Sequence, residues 1–435
     1  MSNTALDSSP AATGRQRSLT VVRDCVAATL GAFFEWFDLL VYASFALPIA
    51  KVFYHEGDAD KAFLLSTLTF ASAYLARPLG AIFLGIYSDK QGRRAALMLS
   101  AVLMLIGTAM IALLPGYDTL GSFAPVGLLF ARVLQGIAAG GEFGSVNAYL
   151  TERFPKLRAL MSSLQFSMTG LALLVASLAA YAINHYLSPE QVMRWGWRLP
   201  FLFGCLIAPV AFYMRSHISE TEAFLAETAA QRAALGSSLG RHWKAVILGA
   251  LVVAGGNAAS YLNIFMPNFA IKNFGLSAEV AFTAGALSAV VCIVFPLVAG
   301  RVADRAGFSR TMTIAMIVGL IGLGPVYYNL MQHPGLPALA LFQCFMSLVF
   351  YSFYYSPVGA LLADLFPTQC RTMGVSVAYV ISQSLFGGLT PLVVGMLVVG
   401  TGSNFAAAGY LLAIGVVAIV ALRVSRLLPA YADSP

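Results

Sequence analysis

The sequence predicts an all-α polytopic membrane protein, with twelve transmembrane helices in two pseudo-symmetric six-helix bundles. Three observations carry this expectation. Of 435 residues, 59% are hydrophobic and only 10% charged, against roughly 25% charged in ordinary soluble domains. The apolar residues come in runs of about 20 with few charges, the length needed to cross a hydrocarbon core about 30 Å thick. Short motifs also recur 215 residues apart, about half the chain.

The spans of the first half are expected near 26–52, 63–88, 95–114, 122–150, 160–187 and 198–214. Those of the second half are expected near 244–270, 279–301, 310–330, 337–364, 371–399 and 404–426. Lys and Arg divide 19 to five between the two sets of connecting segments, which puts both termini in the cytoplasm by the positive-inside rule. Residues 1–20 are polar and lack an apolar stretch with a small-residue cleavage site, so the first span is expected to stay as an anchor. The resulting division is a cytoplasmic tail (1–23), a first bundle (24–214), a cytoplasmic linker (215–243), a second bundle (244–426) and a cytoplasmic tail (427–435). The linker reads as helical around "ETEAFLAETAAQRAAL" and loosens at "GSSLG". The expected location is the cell inner membrane, multi-pass.

The +7 formal charge is spread over the loops and forms no basic patch with interleaved aromatics, so nucleic acid is not an expected partner. Five scattered cysteines without a CxxC imply neither a disulfide framework nor a metal site. No Walker A sequence, HExxH or nucleophile elbow is present. The chain therefore reads as neither an ATP-driven pump nor an enzyme, and no cofactor is implied.

The repeat is specific. "GIYSDKQGRR" (Gly85 to Arg94) after the second span matches "GRVADRAGFSR" (Gly300 to Arg310) after the eighth, in the pattern G-x-x-x-D-[KR]-x-G-x-x-R. "ERFPKLRALMSS" (152–163) is echoed by "DLFPTQCRTMGVS" (364–376). A duplicated six-helix unit encloses a binding site near the bilayer midplane. Gly85, Asp89, Gly92 and Arg93, with Asp304, Gly307 and Arg310, are the expected gating residues: glycines for a tight turn, and acids to hold loop arginines or a neighbouring helix N-terminus.

These loops, with "RVLQGIAAGGE" (Arg132 to Glu142), resemble the major facilitator superfamily. "FFEWFDLLVYASF", "WGWRLPF" (195–201) and "FGGLTP" (386–391) make the chain similar to its metabolite:proton symporters, which carry citrate, tricarballylate, α-ketoglutarate, shikimate, proline or betaine. The resemblance implies a major facilitator fold and alternating access by a functional monomer. It also implies that Arg77, in the R-P-x-G pattern of the organic-acid carriers, binds carboxylate.

Glu35, Asp38, Arg77, Arg132 and Glu142 all lie inside spans of the first half, where each charge costs about 2.5–3.5 kcal/mol at the helix centre on insertion scales. Glu35, Asp38 and Tyr42 share one stripe of the first helix. On the fourth, Gln135 and Glu142 lie about −60° and −80° around the axis from Arg132, and Gly136, Gly140 and Gly144 line a close-packing stripe. An acid beside a guanidinium stays ionised, and it takes a proton when the cation is removed or occupied. Protonation of Asp38 or Glu35 would then free Arg132 for a substrate carboxylate, which makes Asp38, Glu35, Arg132 and Glu142 the proton-coupling candidates. Arg77 has no acid at i±3 or i±4, so its partner is a ligand carboxylate, Asp38 or Glu35. Arg198 reads as an interfacial anchor.

The second half supplies neutral groups ahead of prolines: Asn257, Tyr261 and Asn263 in "GGNAASYLNIFMP", Tyr351, Tyr354 and Tyr355 in "FYSFYYSPVG", and Gln383 before "FGGLTP". With Arg77, Arg132, Gln135 and Tyr42 they form the expected substrate set, and the prolines suggest bending beside a cavity. The function expected is proton-coupled symport of a small organic anion, a di- or tricarboxylate such as citrate or tricarballylate. If every charge pairs internally, a zwitterion such as proline or betaine fits instead; α-ketoglutarate and shikimate are further alternatives.

Overall fold

The computed structural model describes residues 33–54, 59–91, 93–140, 156–206, 242–367 and 370–426, with Asn147, Leu150 and Phe154 between them. Its helices follow the expected spans. The first half has α1 (Phe33–Ser44 and Ala46–Phe53, bent by 65°), α2 (Ala59–Gln91), α3 (Arg93–Leu113), α4 (Phe123–Ala138), α5 (Arg158–Tyr186) and the start of α6 (199–206). The second half has α7 (Trp243–Phe274), α8 (Ala278–Ala306), α9 (Phe308–Gln332), α10 (Leu336–Leu365), α11 (Arg371–Ser382, continued by Gln383–Gly388 and Thr390–Thr401) and α12 (Ala406–Ser425). Glu142, Gly144, Gly92 and most of the linker lie outside the described residues, as do the side chains of Asp89 and Arg93.

Two cores mark the two bundles. One is built almost wholly from residues 37–201 and the other from 245–422. Outward-facing apolar side chains such as Leu79, Ile82 and Phe83 on α2, and Ile317, Val318 and Ile321 on α9, stay exposed. On a soluble surface such continuous belts would drive association, whereas in a bilayer they face lipid.

The bend in α1 has a local cause. Pro48 lacks an N–H and its ring opposes the carbonyl of Ser44, four residues back, where the two segments part. Ser44 also donates to the Leu40 carbonyl at 2.9 Å, a bond that favours bending. In α10 and α11 the hydrogen bonding widens to π-type over Met346–Tyr355 and Gln383–Gly388, each followed within three residues by a proline, Pro357 or Pro391. The third candidate behaves otherwise: α7 runs helical through Pro267.

The halves are tied at both ends of the bundle. At the end carrying the repeated loops, Asp304 accepts from the backbone N–H groups of Ala159 (2.8 Å) and Leu160 (3.1 Å), satisfying the first turn of α5 from the opposite half. Arg158 pairs with Asp364 at 2.8 Å, and Asn147 donates to the Gly359 carbonyl at 3.2 Å. Gly307, at φ 91°, makes the turn from α8 into α9, and Arg310 is exposed. At the other end Lys272 pairs with Asp60 (2.6 Å), His185 with Glu279 (2.8 Å), and Asn268 donates to the Ala43 carbonyl (2.6 Å).

Asp304→Ala should therefore loosen the loop end by about 1.5–3 kcal/mol, the range for hydrogen bonds to charged groups. A Ser163→Cys reporter there should react about fivefold faster or more with a membrane-impermeant thiol reagent. Asp60→Asn, at the far end, should not speed that labelling.

Candidate functional site

Where the bundles meet, a partly open cavity lies between α1, α2, α5 and the end of α4 in one half and α7, α10 and α11 of the other. Glu35 and Trp36 border it from α1, Arg77 from α2, and Gln165, Phe166 and Thr169 from α5. Ser260, Tyr261 and Ile264 face it from α7, Tyr351 and Tyr355 from α10, and Tyr379 and Gln383 from α11.

Its electrostatic centre is Arg77. Nη2 lies 2.7 Å from Glu35 Oε1, and the two side chains are only 4% and 9% exposed. Nη1 donates to Gln383 Oε1 at 2.5 Å, so one guanidinium holds an acid of its own half and an amide of the other. Its carbon lies 4.7 Å from the centre of the Tyr74 ring and 5.9 Å from that of Trp36. The second guanidinium, Arg132, is fully buried elsewhere. It donates to Gln135 Oε1 at 2.7 Å and sits 4.3 Å over Tyr42 and 5.3 Å over Phe70. Gln135 Nε2 donates to Thr108 Oγ1 at 3.0 Å, and Thr108 in turn donates to Asp38 Oδ2. A neutral threonine and glutamine thus stand between Asp38 and Arg132.

The acid stripe of α1 therefore splits. Glu35 faces the cavity, Asp38 faces α3 and α6, where its Oδ1 lies against Gly204, and Tyr42 donates to the Ser66 carbonyl at 3.3 Å. The glycine stripe of α4 packs on α2: an added Cβ at Gly136 would fall 1.9 Å from the Ala73 carbonyl oxygen, and one at Gly140 2.4 Å from that of Arg77. In this structure the guanidinium that meets an acid of α1 directly is Arg77, with Glu35, while Arg132 turns into the first bundle and reaches Asp38 only through Gln135 and Thr108.

Of the expected substrate residues, Arg77, Tyr261, Tyr351, Tyr355 and Gln383 border the cavity, while Arg132, Gln135, Tyr42, Asn257, Asn263 and Tyr354 do not. Asn257 sits one layer behind, accepting from Tyr355 Oη at 2.5 Å and donating to Ser382 Oγ at 3.0 Å. Asn263 donates to Ser347 Oγ at 3.0 Å within the second bundle, and Tyr354 to the Val252 carbonyl at 2.5 Å. Tyr351 donates across the halves to the Phe166 carbonyl at 2.8 Å, and the Phe166 and Tyr355 rings meet edge to face at 4.8 Å.

Trp36, Gln165, Phe166, Thr169 and Tyr379 were not among the expected site residues. Tyr379 was findable, four residues before Gln383 on one helical face. Gln165 and Thr169 share that spacing on α5, a span whose lack of charge drew no attention to it.

The pair makes a prediction about stability. Arg77→Ala leaves Glu35 buried without its cation and should cost about 3–5 kcal/mol, whereas Glu35→Gln with Arg77→Ala should cost clearly less than the sum of the two single changes. Unfolding of the purified protein in detergent measures both.

A family model for the Major Facilitator Superfamily matches residues 28–383 and 246–433. A citrate-proton symporter of Salmonella typhi is 33% identical over 379 residues, covering 86% of this chain and 87% of its own. An α-ketoglutarate permease of Escherichia coli (strain K12) is 33% identical over 370 residues, 83% of this chain and 84% of its own. An ectoine/proline transporter of Corynebacterium glutamicum is 30% identical over 422 residues, 92% and 83% of the two chains. Among solved structures, a D-xylose-proton symporter superposes with a TM-score of 0.74 at 20% identity, over 94% of this chain and 98% of that one, a likeness of fold.

Proposed function

The chain belongs to the Major Facilitator Superfamily, and from that premise we propose that it carries a small carboxylate into the cell together with protons, by alternating access. The observation that carries this reading is the shared guanidinium: Arg77 is held by an acid and an amide inside a cavity bordered by both halves. Its relatives named for citrate and α-ketoglutarate support the substrate class.

The cycle follows from charge balance. With Glu35 ionised, Arg77 is neutralised and offers little to an anion. A proton on Glu35 removes that charge, and the guanidinium, steadied by Gln383, takes the substrate carboxylate in its place, a geometry that suits bidentate binding. The cavity then holds no net charge, which makes the change of facing less costly in a low-dielectric core. Loss of the carboxylate on the other side restores the Glu35–Arg77 pair and expels the proton. Asp38, joined to Arg132 through Thr108 and Gln135, is a second proton-coupling acid set apart from the cavity. Asp304 and the loop-end contacts close the route on the face we take as cytoplasmic from the distribution of Lys and Arg, with both termini on that side.

A second reading rests on the aromatic walls. Trp36, Phe166, Tyr261, Tyr351, Tyr355 and Tyr379 could hold the ammonium of a zwitterion by cation–π contact. Ionised Glu35 would serve that ammonium directly, and no proton need land on Glu35.

Protein in liposomes with a pH-sensitive dye separates the two. An added carboxylate should draw protons inward with the wild-type protein. Glu35→Gln should keep substrate exchange across the membrane yet lose uphill accumulation and proton uptake, and Arg77→Lys should weaken binding at least tenfold. Uptake of betaine or proline without protons, against silence with every carboxylate, would replace the carboxylate reading with the zwitterion one.

A further inference from the structure

Arg77 accounts for one end of a carboxylate, which leaves the rest of the ligand to be held by the remaining walls. Among the described residues that border the cavity, Arg77 is the one cation. Several buried polar atoms there have no hydrogen-bond partner. Arg77 Nε and Gln383 Nε2 belong to the cluster that would receive the carboxylate. Three others lie on other helices: Tyr261 Oη on α7, whose ring meets that of Tyr74, and the pair formed by Gln165 Nε2 on α5 and Ser260 Oγ on α7, in side chains 5% and 6% exposed. An unpartnered donor in a buried wall is costly unless a ligand or water satisfies it. Gln165 and Ser260 come one from each half, so an oxygen bound to both would also report that the halves are together.

We propose that Gln165 and Ser260 form a second, uncharged binding pole, and that the substrate occupies the cavity as a monoanion. It presents one ionised carboxylate to Arg77, and a hydroxyl, a keto oxygen or a protonated carboxyl to Gln165 and Ser260. This rests on the carboxylate reading above. The argument is one of charge. A neutral amide and a hydroxyl satisfy a neutral oxygen fully, but a second ionised carboxylate between them keeps an uncompensated charge in a buried site. The aromatic faces of Trp36, Tyr261 and Tyr355 line the space with no further counter-charge. Hydroxy- and keto-monocarboxylates therefore enter as they stand, and a polycarboxylate enters in its singly ionised form.

The test uses the full chain in liposomes and compares apparent KM values from pH 5.5 to 8 for shikimate, lactate and pyruvate against citrate, tricarballylate and α-ketoglutarate. Proton coupling affects both groups, so the ratio of KM values is the readout. It should rise about tenfold per pH unit for each further carboxyl that must be protonated, in favour of the monocarboxylates. Gln165→Leu and Ser260→Ala should each raise the monocarboxylate KM about five- to tenfold with little change in proton coupling. Gln165→Arg should reverse the selectivity, lowering the polycarboxylate KM at pH 8 at least tenfold. A flat ratio, or wild-type protein that prefers the dianion at pH 8, would overturn the uncharged pole while leaving carboxylate symport standing. Silence with all six acids, from protein whose tryptophan fluorescence shows it folded, would remove the carboxylate reading and the pole together.

Discussion

Glu35 and Arg77 meet at 2.7 Å in a part of the molecule where neither could be tolerated alone. Each charge, placed by itself in a helix at mid-membrane, would cost about 2.5–3.5 kcal/mol on insertion scales. Paired, they hold α1 against α2, and through Gln383 they reach α11 of the other bundle. On the cycle proposed above, the need to keep that guanidinium compensated would make the pair a device for exchange. In that cycle, whatever displaces Glu35 would bring a negative charge of its own to Arg77.

On the proposed cycle the rest of the fold would control when water and ligand reach that pair. Contacts tie the halves together at both ends of the bundle, and the π-type segments of α10 and α11 carry Tyr351, Tyr355 and Gln383 into the space between. Glycine allows the approach. An added Cβ at Gly388 would fall 2.5 Å from that of Tyr74, and Ser384 donates to the Tyr74 carbonyl at 2.6 Å, so α11 lies directly on α2 beside Arg77. Arg132 and Asp38 form a separate polar layer inside the first bundle, linked to the cavity through α1 and α2 and bordering neither its walls nor its mouth.

Much of this was legible in the sequence because membrane physics leaves strong signals. Long uncharged runs give the helices, and the two D-[KR]-x-G loops give the duplication. Buried charges stand out against a bilayer, so Glu35, Asp38, Arg77 and Arg132 could be picked out without coordinates. Which acid meets which arginine was not legible. Helical spacing places Glu35 and Asp38 on one stripe about 60° apart, but only the packing of neighbouring helices decides that Glu35 meets Arg77 of α2 while Asp38 meets Thr108 of α3. Neutral wall residues such as Gln165 and Thr169 gave no signal, since an amide or hydroxyl in an apolar helix is as often a packing group as a ligand. The role of Asp304 was half visible. Its motif implied a helix N-terminus as partner, and the fold supplies the first turn of α5.

Infrared difference spectroscopy of the membrane-embedded protein, with and without a carboxylate substrate, tests the central claim most directly. If substrate takes the place of Glu35 at Arg77, binding should produce a new protonated-carboxyl band that is missing in Glu35→Gln and persists in Asp38→Asn. A substrate that binds with no such band, or with one unchanged in Glu35→Gln, would contradict the exchange and leave Glu35–Arg77 a static packing pair.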